Sequence, residues 1–90
     1  MPSRNVVIGS PVGLHARPAR LLVEDVAKRA VRVRIGRSED DLVDASSILA
    51  VMSLGVRGGE EILLSAEGEG AEVAVSELAE LLARDLDSVE

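Results

Sequence analysis

One histidine and one arginine lie two residues apart, where the chain is expected to begin a helix. His15 is the only histidine in the sequence, and Arg17 follows it closely. A neutral imidazole can act as a nucleophile near neutral pH, and a guanidinium binds phosphate through two parallel hydrogen bonds. The pair therefore fits phosphoryl transfer to His15, with Arg17 binding the transferred group.

The residues after this pair predict the helix that positions them. Pro18 is favoured in a first helical turn, where its missing N–H has no structural cost. Apolar residues then recur at helical spacing, at Ala19, Leu22, Val23, Val26, Ala27 and Ala30. A helix N-terminus presents unpaired backbone N–H groups and a positive dipole end, which favour an anion. A lone histidine or a lone helix end would indicate little, because most of them are only structural.

Composition limits the classes of function that the chain can serve. Its 90 residues suit one domain, residues 1–90, and 47% apolar residues suffice for a core. The net charge of −6 and the absence of Phe, Tyr and Trp argue against nucleic-acid and anionic-membrane partners. With no cysteine and one histidine, we expect no cofactor and no metal site. No signal-peptide-like or membrane-spanning apolar run occurs, so a cytoplasmic protein is the simplest expectation.

Hydrophobic periodicity predicts four strands and three helices in the order β-α-β-β-α-β-α. The strands are expected at residues 4–9, 31–35, 42–44 and 61–66, and the helices at residues 16–29, 48–54 and 71–86, followed by a frayed tail at 87–90. The second and third strands should form a hairpin, and the fourth is apolar enough to be central. Both long helices are amphipathic, which indicates an α+β fold with helices on one face of a four-stranded antiparallel sheet.

The short helix expected at residues 48–54 is apolar on nearly all sides. Ser47 before it is an N-cap signal, and Gly55 after it is a C-cap signal. Such a helix is either buried under neighbouring elements on both sides or presents an exposed apolar patch. On so small a domain we favour the patch, and therefore an interaction surface.

The heptapeptide G-L-H-A-R-P-A at residues 13–19 resembles the active-site motif of the HPr family. These proteins are histidine-containing phosphocarriers of the phosphoenolpyruvate-dependent sugar phosphotransferase system. The resemblance extends over essentially the whole chain and implies an open-faced β-sandwich with three helices on one face. It also implies a phosphoryl group on Nδ1 of His15, bound by Arg17 and by the backbone of Ala16 and Arg17 at a helix start that Pro18 opens.

The resemblance further implies partners and a second site. A phosphocarrier of this family accepts its group from phospho-enzyme I and passes it to sugar-specific IIA domains, so it is a carrier with a transient phosphohistidine and not an enzyme. Residues 47–55, S-I-L-A-V-M-S-L-G, resemble a second family landmark. Ser47 falls on the serine that HPr kinase/phosphorylase modifies in many Gram-positive bacteria. The implied partner-binding residues are Arg20, Ile48, Leu49 and Met52, on a chain expected to be a monomer.

Two departures from the family pattern and one alternative function stand beside this interpretation. Val12 replaces the Asn or similar polar residue of many members. Residues 36–45 are longer and more acidic than usual, and this acidity would weaken kinase recognition near Ser47.

The alternative function is a phosphorylation-dependent regulatory binding module of the same fold, either a nitrogen-branch paralogue or a Ser47-phosphorylated regulator. A small enzyme or RNA binder of this topology is disfavoured, because the chain has no aromatic residues and no second catalytic constellation.

Overall fold

A computed structural model describes residues 2–84 of the chain, and four strands within it form one antiparallel sheet. The strands are β1 (Ser3–Val7), β2 (Arg32–Gly36), β3 (Val43–Asp44) and β4 (Glu61–Glu67). Their order across the sheet is β1-β4-β2-β3. The expected central position of the fourth strand and the hairpin of the second and third strands are both confirmed.

Three α-helices and one short 3-10 turn connect the strands. They are α1 (Ala16–Ala27), the 3-10 turn (Glu39–Asp41), α2 (Ile48–Ser53) and α3 (Ala71–Leu82). The helices cover one face of the sheet and leave the other face open, as the α+β open-faced β-sandwich predicts. Among residues 2–84, no helix combines the length and the hydropathy needed to cross a bilayer.

The core lies between the sheet and the helices and is entirely aliphatic. Strand β4 alternates, so that Ile62, Leu64 and Ala66 are buried against the helices. The side chains that α1 and α3 contribute include Leu22, Val26, Leu78 and Leu82, none more than 4% exposed. This packing fixes the direction of α1, and hence the place where its N-terminus emerges.

Several element ends differ from the sequence prediction for identifiable reasons. Strand β1 stops at Val7 instead of residue 9, because Gly9 donates its N–H to the carbonyl of Leu82 at 2.9 Å and leaves the sheet. Helix α1 stops at Ala27 instead of residue 29, because the N–H groups of Lys28 and Arg29 donate to carbonyls three residues back. Helix α3 stops at Leu82 instead of continuing toward residue 86, because the N–H of Arg84 donates to the carbonyl of Leu81, three residues back, at 3.2 Å. Residues 85–86 of the expected helix and the tail at 87–90 lie outside the described residues.

The acidic segment at residues 36–45 contains the 3-10 turn, which lies between β2 and β3. Its start is capped reciprocally: Ser38 Oγ accepts from the N–H of Asp40 at 3.3 Å, and Asp41 Oδ1 accepts from the N–H of Ser38 at 2.8 Å. The pattern of Ser38 followed three residues later by an acid is a capping box and could have signalled this turn.

Candidate functional site

His15 is an exposed residue at the N-cap of α1. Its backbone is extended, with φ −135° and ψ 151°, and its side chain makes no capping hydrogen bond. The backbone N–H groups of Ala16 and Arg17 have no acceptor within residues 2–84. Pro18 is the third helical residue, where an N–H would also lack an intrahelical partner. Free donors therefore lie directly beside the imidazole.

The backbone between His15 and Arg17 is held in an uncommon conformation. Ala16 has φ +45°, in the left-handed region, and it is the only non-glycine residue between 2 and 84 with a positive φ. Such a conformation costs about 1–3 kcal/mol and persists only where the surroundings enforce it. The turn at Ala16 thus sets the relative directions of the imidazole and the guanidinium.

The loop before His15 is anchored by Leu14. The Leu14 side chain is 1% exposed, and its N–H donates to the carbonyl of Val56 at 3.0 Å. Gly13 has φ +78°, and a Cβ at this position would lie 2.1 Å from the carbonyl oxygen of Val56. Only glycine can combine this backbone angle with this close approach, so Gly13 allows Leu14 to turn inward and His15 to turn outward.

A second loop, residues 56–60, supports the first. A Cβ on Gly58 would lie 2.5 Å from the carbonyl oxygens of Ser10 and Pro11, so the two backbones are in direct contact. Gly59 donates to the carbonyl of Ile8 at 2.9 Å, which closes the same contact. The proximity of this loop to His15 cannot be recognised from the sequence, because it depends on pairing between strands that are far apart along the chain.

Arg37 joins this second loop to the end of α2. Its guanidinium donates to the carbonyls of Leu54 at 2.5 Å and Gly55 at 3.0 Å, and to Glu60 Oε1 at 3.1 Å. The pKa of the Glu60 carboxyl lies below its usual value, mainly because the carboxylate accepts a hydrogen bond from the backbone N–H of Arg57 at 3.0 Å. The nearby positive charge of Arg37 lowers this pKa further. No sequence signal identified Arg37, which lies in an irregular segment.

Helix α2 begins at Ser47, which is its N-cap as predicted. Ser47 Oγ accepts a hydrogen bond from the N–H of Ala50 at 3.2 Å. Val51 is fully buried, whereas Leu49 is 79% exposed and Ile48 is 37% exposed. Met52 is partly buried against the core. The helix therefore uses one side for the core and presents Ile48 and Leu49 to solvent.

The exposed side of α2 and the start of α1 form one continuous surface. A cavity of about 500 Å³ between them is lined by Ala16, Arg17, Arg20, Leu21 and Ile48, which together we call the α1–α2 face. Arg20 is exposed and pairs with Glu24 at 3.2 Å, whereas Arg17 has no ion-pair partner within residues 2–84. Arg57 is a further exposed cation, on the loop that contacts Gly13.

Val12, in the loop that precedes His15, is 57% exposed. The described part of the chain contains no group of three or more His, Asp or Glu residues arranged to hold a metal ion. The chemistry available here is thus that of one imidazole, two backbone N–H donors and nearby guanidinium groups.

Comparison with known proteins gives a consistent result along the whole chain. A family model described as "PTS HPr component phosphorylation site" matches residues 2–84. The phosphocarrier protein HPr of Streptomyces coelicolor is 44% identical over 89 residues, covering 99% of this chain and 96% of the relative. That of Haloferax volcanii is 48% identical over 80 residues, covering 88% and 90%. The crystal structure of HPr-C-His from Thermoanaerobacter tengcongensis superposes with a TM-score of 0.88 at 34% identity, covering all of both chains.

Proposed function

Because this chain belongs to the HPr family of phosphocarrier proteins of the phosphotransferase system, we propose that it carries a phosphoryl group on His15 between two protein partners. The observation that carries this proposal is the exposed imidazole at the N-cap of α1. Beside it lie the unpaired N–H groups of Ala16 and Arg17 and the unpaired Arg17 guanidinium.

The reaction on His15 is a displacement at phosphorus. Nδ1 attacks while the proton resides on Nε2, the bond from Nδ1 to phosphorus forms, and the donor's bond to phosphorus breaks with its electron pair returning to the donor. The phosphoryl oxygens then lie at the positive end of α1, where N–H groups are free to donate. Transfer to the acceptor reverses these steps.

The site is suited to holding the phosphoryl group loosely. It is exposed, so water competes for each hydrogen bond, and its unpaired donors are two backbone N–H groups and one guanidinium. A carrier must release its cargo, and strong binding of the phosphorylated state would slow onward transfer. Burial of the same groups would strengthen the interaction but would also trap the product.

We infer that the partners are phospho-enzyme I as donor and sugar-specific IIA domains as acceptors, and that both dock on the α1–α2 face together with Leu49 and Met52. The exposed apolar side chains of Ile48 and Leu49 supply area that loses water on contact. Arg17, Arg20 and Arg57 give this end of an otherwise acidic chain a local positive charge, which favours acidic partner surfaces. We infer that the chain acts as a monomer during this transfer.

Ser47 supports regulation at the same surface. Its hydroxyl is half-buried at the first turn of α2, next to Ile48. A phosphate there would add roughly two negative charges at the rim of the docking surface, although α2 could tolerate it at its N-terminus. Modification by an HPr kinase/phosphorylase would therefore reduce docking of acidic partners without unfolding the chain.

The experiment that tests the proposal is a reconstituted transfer assay with phosphoenolpyruvate, enzyme I and a panel of IIA domains. We expect one acid-labile phosphoryl group per chain, its loss in His15→Ala, and its passage to at least one IIA domain. Labelling that persists in His15→Ala would contradict the site. Stable labelling of His15 with no passage to any IIA domain would instead favour the alternative of a phosphorylation-dependent regulatory module, such as a nitrogen-branch paralogue.

A further inference from the structure

One row of side chains crosses the open face of the sheet, on the side away from the helices. Ser3, Ser65, Arg34 and Asp44 are consecutive cross-strand partners on β1, β4, β2 and β3. Directly paired residues of antiparallel strands share a face and lie about 4.5–5.5 Å apart. Ser65 alternates with the core residues Leu64 and Ala66, so this row belongs to the open face and not to the core.

Two groups in this row have polar atoms without a partner. Ser65 is 4% exposed, yet its hydroxyl makes no hydrogen bond within residues 2–84. The Arg34 guanidinium also has neither a hydrogen bond nor an ion pair there. Its neighbour Asp44 is engaged elsewhere, accepting from the N–H of Ser46 at 2.9 Å and from its hydroxyl at 2.7 Å. No buried side-chain polar atom lacks a partner among the described residues, so the Ser65 hydroxyl oxygen is accessible to solvent although the residue as a whole is nearly buried. Both groups are therefore free to bind a molecule that approaches this face.

The acidic segment, residues 36–45, forms one side of a cavity over this row. A Cβ on Gly36 would lie 2.6 Å from the carbonyl oxygen of Asp41, so the 3-10 turn packs tightly on the end of β2. Glu39 from the turn and Leu42 after it enclose a cavity of about 390 Å³ with Ser3, Arg34 and Ser65. This volume lies within the range of small-molecule sites, which is roughly 300–1,000 Å³.

We propose that this cavity binds a small zwitterion of the amino-acid class. The Arg34 fork and the two serine hydroxyls suit a carboxylate, and the Glu39 carboxylate suits an ammonium group. Leu42 offers an apolar contact for a side chain. A phosphate dianion fits poorly, because Glu39 and Asp44 would repel its second charge. The cavity is formed by residues distinct from those of the α1–α2 face, so the proposal stands independently of the function proposed for His15.

The test is a titration of the isotope-labelled full chain, followed by amide NMR signals. The probes are glycine and L-alanine as zwitterions, acetate as the carboxylate alone, ethylamine as the ammonium alone, and inorganic phosphate. We expect saturable shifts at Ser65 and Arg34 with the two zwitterions, and about tenfold weaker binding of acetate and ethylamine. Absence of saturable shifts with the zwitterions, or tighter binding of phosphate, would overturn the proposal.

Matched variants separate a site from general surface effects. Arg34→Gln should weaken both zwitterions about tenfold, and Glu39→Gln should weaken them while leaving acetate unchanged. Arg32→Gln is the control, because Arg32 lies on the same face of β2 but opposite Glu67, outside the cavity. Equal binding by wild type and Arg34→Gln, or equal losses in Arg34→Gln and Arg32→Gln, would refute the site. Transfer through His15 should be unchanged in all three variants.

Discussion

The backbone N–H of Leu14 donates to the carbonyl of Val56 at 3.0 Å. Leu14 directly precedes His15, and Val56 lies three residues after the end of α2, so this hydrogen bond joins the two segments. His15, the proposed nucleophile, and α2, the proposed docking helix, are thus connected by one backbone contact between two loops. Gly13 and Gly58 allow this contact, because any side chain at either position would collide with the opposite backbone. The position of His15 relative to the α1–α2 face therefore depends on loop packing as well as on α1.

Gly58→Ala should disturb that contact. Its new methyl group would approach the carbonyls of Ser10 and Pro11 to 2.5 Å, so the loop before His15 has to move. We expect enzyme I to phosphorylate His15 clearly more slowly in this variant, and by more than any decrease in the folded fraction explains. The control is Gly59→Ala, which has open space but a φ of +87° and should cost about 1–2 kcal/mol of unfolding free energy. Equal phosphorylation rates in the two variants would contradict the role of the loop contact.

Two residues of α2 should separate docking from stability. Leu49 is 79% exposed, so Leu49→Ala should change the unfolding free energy by less than about 0.5 kcal/mol but raise the KM for transfer from enzyme I. Val51 is fully buried, so Val51→Ala should cost about 2 kcal/mol in denaturant unfolding. A KM for Leu49→Ala equal to that of wild type would remove Leu49 from the docking surface.

Ser47 should show two separable effects. Ser47→Ala removes the acceptor for the N–H of Ala50 and should cost about 1 kcal/mol of unfolding free energy. Ser47→Asp keeps an acceptor and adds a negative charge, so it should retain stability but slow phosphorylation by enzyme I more than Ser47→Ala does. If Ser47→Asp and Ser47→Ala are phosphorylated at the same rate, charge at this position does not regulate docking.

Much of the architecture follows from local sequence patterns. The alternation in β2, the apolar run of β4 and the helical stripe after Pro18 can all be recognised within windows of a few residues, because they reflect which side chains are buried. The Ser47 cap is equally local, because its hydrogen bond reaches only to Ala50. The exposed position of His15 was also predictable, since Leu14 and the apolar stripe of α1 turn inward on either side of it.

The parts that escaped prediction depend on contacts between distant segments. Arg37 caps the carbonyls at the end of α2, and Gly58 packs on Ser10, but neither partner can be identified from residue type or spacing. The left-handed backbone at Ala16 also has no signal, since alanine disfavours it and only the assembled loops enforce it. These contacts lie close to His15, and the geometry of the candidate site therefore depends on tertiary packing that local sequence patterns do not reveal.

The Glu60 carboxyl should contribute a pH-dependent part of stability. Its pKa in the folded chain lies below the ordinary value of 4.5, through the N–H of Arg57 and the charge of Arg37. A depressed carboxyl pKa stabilises the fold above the ordinary value, and the contribution is lost as pH falls through the lower folded value. The difference in unfolding free energy between wild type and Glu60→Gln should therefore be present at neutral pH and shrink on acidification. A difference that stays constant with pH would show that Glu60 acts by packing alone.

The central claim is that His15 is the residue that receives the phosphoryl group, and site mapping tests it most directly. The full chain is phosphorylated with phosphoenolpyruvate and enzyme I, digested at alkaline pH, and the modified residue is located by mass spectrometry. We expect a single acid-labile modification on His15, reduced in rate but unchanged in position by Arg17→Gln. A modification found on another residue, or one that is stable to acid, would contradict the account.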